Sequence, residues 1–283
     1  MGGGTYCSTL RSVRADSLGY TTKSFGDVFT KRSIEYAMNP KGVEIRESRD
    51  SEEHPESLAI IIGLDVTGSM GSTPHKLVKD GLPTIMDNIL GGGVKDPQVL
   101  FLGIGDHECD SAPLQVGQFE SNDEAMDKWL TSIYMEGGGG GNDGESYLLA
   151  WYFAACHTSI DCFEKRGKKG ILFTIGDEPV LSKIPQQTLK QIMGCGEPKD
   201  YLATELLDKA RKMYDVYHIH VAHNSWGNSC IDGWRELIGD NLLVAQNVND
   251  VLEIIARTIE NNYKPLASVT KTETDNGKEE IIL

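Results

Sequence analysis

The 283 residues contain no run of about 18 apolar side chains, the length a helix needs to cross the hydrocarbon of a bilayer, so no membrane-spanning helix is expected. The opening MGGGTYCSTLRSVR lacks an apolar segment of secretory type, and Tyr6 stands where a myristoylation signal wants Ser or Thr; the expected compartment is the cytoplasm. No CxxC pair occurs among Cys7, Cys109, Cys156, Cys162, Cys195 and Cys230, which argues against a zinc knuckle or a disulfide framework and for reduced, mostly buried thiols. Positive charge is scarce as well: 27 Lys and Arg face 42 Asp and Glu, a net of −15 that would repel nucleic-acid phosphates. The imbalance is uneven, since the first fifty residues hold eight basic against six acidic side chains, leaving about −17 on the remainder. An acidic body of this kind attracts cations or basic protein surfaces, and it also serves plain solubility.

Two nucleotide signatures are missing. No GxGxxG follows the first apolar run, and the five glycines 137–141 are not followed by the Lys-Ser/Thr of a phosphate-binding loop.

What is present is a set of apolar runs of strand length: 58–64, 98–104, 171–175, 216–222 and 241–245, with a shorter candidate edge strand at 114–119. Helical patterns alternate with them. Thr73 and Pro74 open one that runs to Leu90 and should kink at Pro83. Residues 145–157 are apolar nearly all round and read as a buried helix, 201–214 is amphipathic, 231–238 is short, and Asp250 with Glu253 starts a last helix as a capping box. This alternation implies an α/β fold, a doubly wound and mostly parallel sheet with helices on both faces and one antiparallel edge strand. Residues 1–57 are polar and end in a charged linker, so they read as an irregular arm; 58–263 form the domain, and 264–283 a mobile tail.

Three runs end in Gly-Asp or Gly-x-Asp, at Asp65, Asp106 and Asp177, which places three carboxylates on the rim where such sheets bind ligands. Each alone is as well explained as a loop opener or helix cap. In DVTGSMG, however, Asp65, Thr67 and Ser69 alternate with small residues, so a tight turn can aim three oxygens at one point, a donor set suited to a hard cation such as Mg²⁺. The cluster His107, Glu108, Cys109, Asp110 is better read as a polar loop than as a second metal site, and His218 and His220 as packed strand residues. His223 follows that strand and can reach the rim.

DVTGSMG resembles the first signature of the von Willebrand factor type A family, the Asp-x-Ser/Thr-x-Ser of its metal-ion-dependent adhesion site. GGGGGNDGESY (137–147) and FTIGDEP (173–179) stand where that family places its second and third signatures, so the resemblance runs from about Leu58 to about Asn262. It implies that Asp65, Thr67, Ser69, Asp143 and Asp177 bind one divalent cation, Mg²⁺ or else Mn²⁺ or Ca²⁺. Asn142 or Glu145 are alternatives to Asp143 at the middle position. The family's usual middle ligand is a neutral Thr; a third carboxylate takes the formal charge around a divalent ion from 0 to −1, which tightens metal binding and weakens attraction for a partner's carboxylate.

By resemblance the chain is no enzyme but a protein-binding adaptor or assembly factor. Intracellular bacterial members work beside AAA+ ATPases of the MoxR type, which makes such an ATPase an expected partner, and in the family the last helix shifts as the metal site rearranges. Two rival readings stand beside this one: a metal-dependent phosphoester hydrolase with Asp65 as nucleophile, and a structural component of a phage or other multiprotein particle. The hydrolase wants a second aspartate at position 67 and a rim lysine near the third motif, whereas Thr67 is found and Lys168 and Lys169 precede the third strand.

Overall fold

Apolar runs long enough to be buried on both faces pair into one sheet. The computed structural model describes residues 4–71, 73–137, 144–196, 199–222 and 225–263. Its sheet contains β1 (Ser57–Asp65), β2 (Asp96–Ile104), β3 (Leu114–Val116), β4 (Gly170–Gly176), β5 (Tyr214–Val221) and β6 (Leu242–Ala245). The order across the sheet is β6-β5-β4-β1-β2-β3, and every neighbouring pair is parallel except β2 and β3. All residues of β1, β2 and β4 are buried, which is why these strands read as continuous apolar runs rather than alternating ones.

The helices of eight or more residues are α1 (Ser8–Leu18), α2 (Leu82–Gly91), α3 (Asp123–Thr131), α4 (Tyr147–Cys156), α5 (Gln186–Met193), α6 (Ala203–Ala210), α7 (Ser225–Ile238) and α8 (Val248–Tyr263). Neighbouring residues of β5 show that both faces are covered: His218 stacks on Trp234 of α7, while Tyr217, one residue earlier, accepts a hydrogen bond from Asn262 of α8. The fold is therefore the doubly wound α/β sheet with one antiparallel edge. β1 leads to β2 on one side and is flanked by β4 on the other, so the strand order reverses between β1 and β4, and a crevice opens beyond their carboxyl ends.

Several elements differ from the sequence reading. The stretch read as an irregular arm carries α1, which buries Arg11 and Ala15 and leaves Leu10 and Val13 exposed. It is held by charge rather than by an apolar stripe: Arg11 pairs with Asp127 at 3.2 Å, and Arg14 with Asp127 at 2.9 Å and with Asp123. Ahead of Pro83, where a kink is expected, the helical path that opens at Thr73–Lys76 passes through a wide-turn segment, Leu77–Gly81, and continues as α2. At Gly81 a Cβ would meet Leu252 of α8 at 2.7 Å, so the absence of a side chain there lets the two helices approach closely. The amphipathic stretch 201–214 is helical only over α6, because Tyr201–Leu202 pairs with Lys183–Ile184 and Tyr214 begins β5. The short 231–238 helix extends back to Ser225. The last helix starts earlier than the proposed box, with Asn247 accepting from the Asn249 amide and the Asp250 carboxylate accepting from the Gln246 and Asn247 amides. Only Cys162 and Cys230 of the six thiols are buried. Residues 264–283 lie outside the described set. Among the described residues no helix is long and apolar enough to cross a membrane.

Candidate metal centre

The crevice between β1 and β4 receives the last residue of one strand, Asp65, and the first residue beyond the other, Asp177; they are 0% and 1% exposed. The turn leaving β1 begins with the Val66 amide donating to Ile104 O of β2 at 2.9 Å. It closes at Gly71, whose φ of +51° lies in the left-handed region that favours glycine. Within the turn the Thr67 amide (2.9 Å) and hydroxyl (2.5 Å) both donate to Asp65 Oδ1. Ser69 Oγ donates to Asp177 Oδ1 at 2.7 Å. The two hydroxyl oxygens stand 3.3 Å apart.

Proton counting gives this contact its meaning. A hydroxyl has one hydrogen to donate; with both carboxylates ionised each of these spends it on a carboxylate, and lone pairs then face one another between Thr67 and Ser69. The chain from Asp65 through Thr67 and Ser69 to Asp177 is a continuous array of oxygens with no step longer than 3.3 Å. Burial, and then the charge of Asp177, pushes the Asp65 carboxyl up to about 7 against the hydrogen bonds from Thr67 and Tyr147 that lower it. Two buried carboxylates linked through two hydroxyls form an acidic, all-oxygen site of the kind that suits a divalent cation.

Tyr147, the first residue of α4, donates its phenol hydrogen to Asp65 Oδ2 at 2.9 Å. Its ring packs edge-on against His218 (5.0 Å) and Trp234 (5.4 Å), and Trp234 Nε1 donates to Glu178 O at 3.0 Å, next to Asp177. His218, buried and beside His220, is pushed well below the ordinary imidazole range and is neutral, with Nδ1 2.9 Å from Thr174 Oγ1. Both histidines are thus packed strand residues beneath the rim. In the sequence Tyr147 reads as one more residue of a nearly all-apolar helix. The available signal was its polar tip at the rim end of an otherwise apolar helix, directly after the glycine-rich loop.

Asp143 and Asn142, two candidates for the middle ligand, and also His223, lie outside the described residues. Glu145, the third candidate, is 8% exposed, and its Oε2 has no hydrogen-bond partner. Its main chain joins the strand-end loop: the Glu145 amide donates to Pro179 O at 2.8 Å and Leu181 N–H to Glu145 O at 2.9 Å. Burial, then the charges of Asp65, Asp106 and Asp110, pushes its carboxyl up to about 10. Asp106 reaches the same rim but spends its oxygens on its own loop, accepting from the Glu108 amide (2.8 Å) and Cys109 Sγ (2.8 Å). That is the loop-organising role. Among the described residues no three His, Cys, Asp or Glu side chains form a metal cluster by themselves, so the set that fits a cation is carboxylates together with hydroxyls. Its all-oxygen chemistry suits a hard divalent ion.

No protein-family model matches the chain, and no curated protein matches it. Among solved structures it is similar to the pilus adhesin SpaC from Lactobacillus rhamnosus GG in its open conformation, at 14% identity and a TM-score of 0.48, over 77% of this chain and 31% of that one. It is similar to the vWF domain of the type V pili tip protein Mfa5 from Porphyromonas gingivalis, at 8% identity and 0.46, over 72% and 95%. A von Willebrand factor type A protein from Catenulispora acidiphila matches at 10% and 0.41, over 80% and 48%. The chain spans about a third of the length of SpaC. At these identities no site or activity carries over.

Proposed function

We propose that Asp65, Thr67, Ser69 and Asp177 hold one divalent cation, Mg²⁺ first and Mn²⁺ or Ca²⁺ as alternates, and that the chain uses this rim to bind a protein partner as an adaptor or assembly factor. The observation that carries the reading is the hydroxyl contact between Thr67 and Ser69, whose protons are both committed to the buried carboxylates when these are ionised. The remaining ligand comes from Asp143 or, failing that, from Asn142 or from Glu145, whose buried carboxyl has an oxygen without a partner. A bound cation supplies the site with positive charge and a coordination position for an oxygen of the partner. Exposed Ser69 is the side from which that oxygen arrives. By the family resemblance of the sequence, an AAA+ ATPase of the MoxR type in the cytoplasm is the partner class to test first.

The hydrolase reading has less support. Thr67 occupies the position of the second aspartate, and Lys168 and Lys169 sit at the opposite end of β4 from Asp177, the first over the Tyr263 ring at 3.7 Å and the second 3.8 Å from Asp215. Partner capture from lysate tests the proposal. A partner retained in Mg²⁺, lost in EDTA and lost with Asp177→Ala supports it. Identical capture in all three conditions leaves a structural, metal-independent role instead.

A further inference from the structure

At the far end of α4 from Tyr147 a second chemical arrangement lies outside the rim. Cys195 is exposed and sits between two glycines with positive φ, Gly194 at +76° and Gly196 at +149°. At Gly194 a Cβ would meet the Lys41 main-chain oxygen at 2.9 Å, so the loop that presents the thiol depends on glycine there. Cys195 Sγ lies 3.9 Å from His157 Nε2 and 3.8 Å from Met193 O, giving the thiol proton two acceptors.

His157 is 5% exposed, stacked on Phe153 at 5.7 Å, and its Nδ1 is 3.0 Å from Glu44 O. A carbonyl only accepts, so in the neutral ring Nδ1 carries the hydrogen and Nε2 presents its lone pair towards Cys195. Thiol, base and a group that orients the base thus stand in sequence, the arrangement by which a cysteine nucleophile is activated. Among the described residues, the ionisable groups near the pair are Tyr152 and Cys156 on α4, Tyr201 and Lys209 near the Tyr152 hydroxyl, and Lys41 packed against Gly194.

We propose that Cys195 is a base-assisted thiol that undergoes reversible exchange with low-molecular-weight disulfides of the glutathione type. His157 Nε2 takes the thiol proton and the Cys195 sulfur attacks one sulfur of the disulfide. A Cys195–S–S–R bond forms as the R–S–S–R bond breaks, and the other half leaves as a thiolate that is protonated to RSH. Cys195 is oxidised and one half of the small disulfide is reduced, so no further oxidant is needed.

The chain contains its own control. Cys109 is also exposed, but burial of its sulfur, then its hydrogen bond to Asp106 and the neighbouring carboxylates, pushes that thiol up to about 12. The two exposed thiols therefore differ in their neighbours, an imidazole nitrogen beside Cys195 and a carboxylate beside Cys109, and a thiolate is the reacting species.

The test is glutathione disulfide added to the reduced full chain at pH 7, with peptide mass mapping of every cysteine over time. Modification of Cys195 about tenfold or more faster than Cys109, and a roughly tenfold slower Cys195 in His157→Gln with Cys109 unchanged, supports the proposal. Equal rates for the two thiols, or an unchanged Cys195 rate in the variant, overturns it. Should His157→Gln fail to fold by circular dichroism, iodoacetamide alkylation of wild-type Cys195 from pH 5 to 9 decides. A rate that levels off well below pH 8.5 supports base assistance, whereas a tenfold rise per pH unit up to about 8.5 is an ordinary thiol and overturns it. None of these readouts depends on the metal site.

Discussion

Gly176 and Tyr147 share one space: a Cβ at residue 176 would lie 1.7 Å from the Tyr147 hydroxyl and 2.9 Å from Asp65 Oδ2. The glycine before the third rim aspartate is therefore a requirement of the hydrogen bond from Tyr147 to Asp65 rather than of the strand. Gly176→Ala should displace the phenol, destabilise the fold by roughly 1–3 kcal/mol as overpacking does, and weaken the response to Mg²⁺. Thermal melts with and without Mg²⁺ check this, and a variant that matches wild type in both would show that Tyr147 is not fixed against Asp65.

The Asp65 carboxyl gives a pH dependence of definite sign. Burial first, then Asp177, raises it to about 7. A carboxyl raised on folding contributes stability that is complete below its unfolded value near 4 and is lost as pH climbs through its folded value. In EDTA the wild type should lose stability relative to Asp65→Asn between pH 4 and about 7, and Mg²⁺ at pH 8 should restore it in the wild type alone. A wild-type-minus-variant difference that is flat with pH would count against the raised carboxyl.

Asp161 runs the other way. It is 1% exposed, and although burial raises its carboxyl, hydrogen bonds from Lys165, the Asp50 amide and Arg49 outweigh that and bring it to about 2. A lowered carboxyl stabilises above its unfolded value near 4, and the contribution is lost as pH falls towards 2; such a shift is worth roughly 2 kcal/mol. Asp161→Asn should be less stable than wild type by about that amount at pH 7 in urea unfolding. The gap should narrow as pH falls from 4 to 3, and a gap that does not change with pH would locate the loss in packing instead.

Arg11 is 2% exposed, and besides Asp127 its guanidinium donates to Lys79 O at 3.3 Å and to Val78 O. Removing one member of a buried pair leaves the other uncompensated, so Arg11→Ala should cost roughly 3 kcal/mol, less whatever Arg14 recovers for Asp127. Urea unfolding measures it. A loss under about 0.5 kcal/mol would mean that α1 contributes nothing to the stability of the sheet domain.

The strands of this fold were legible because burial on both faces writes itself as a continuous apolar run: LAIIIGL and QVLFLGI mark the centres of β1 and β2. Their ends were not, because Asp96 is buried at the start of β2 by a hydrogen bond from the Glu56 amide, with a His54 ring nitrogen 3.4 Å away, which no hydrophobic pattern reveals. α1 escaped for the same reason, its inward face being Arg11 and its outward face Leu10 and Val13. At the rim, the residue order of DVTGSMG and TIGD singles out Asp65, Thr67, Ser69 and Asp177, four side chains that the structure brings into contact. The contribution of Tyr147 depends on where α4 begins relative to β4, a tertiary relationship absent from local sequence.

Calorimetric titration of Mg²⁺ or Mn²⁺ into the EDTA-stripped chain tests the central claim most directly. One ion should bind per chain, with binding lost in Asp177→Ala and in the doubly substituted Thr67→Val, Ser69→Ala chain. Absence of binding in the wild type, or binding of equal strength in both variants, would contradict it.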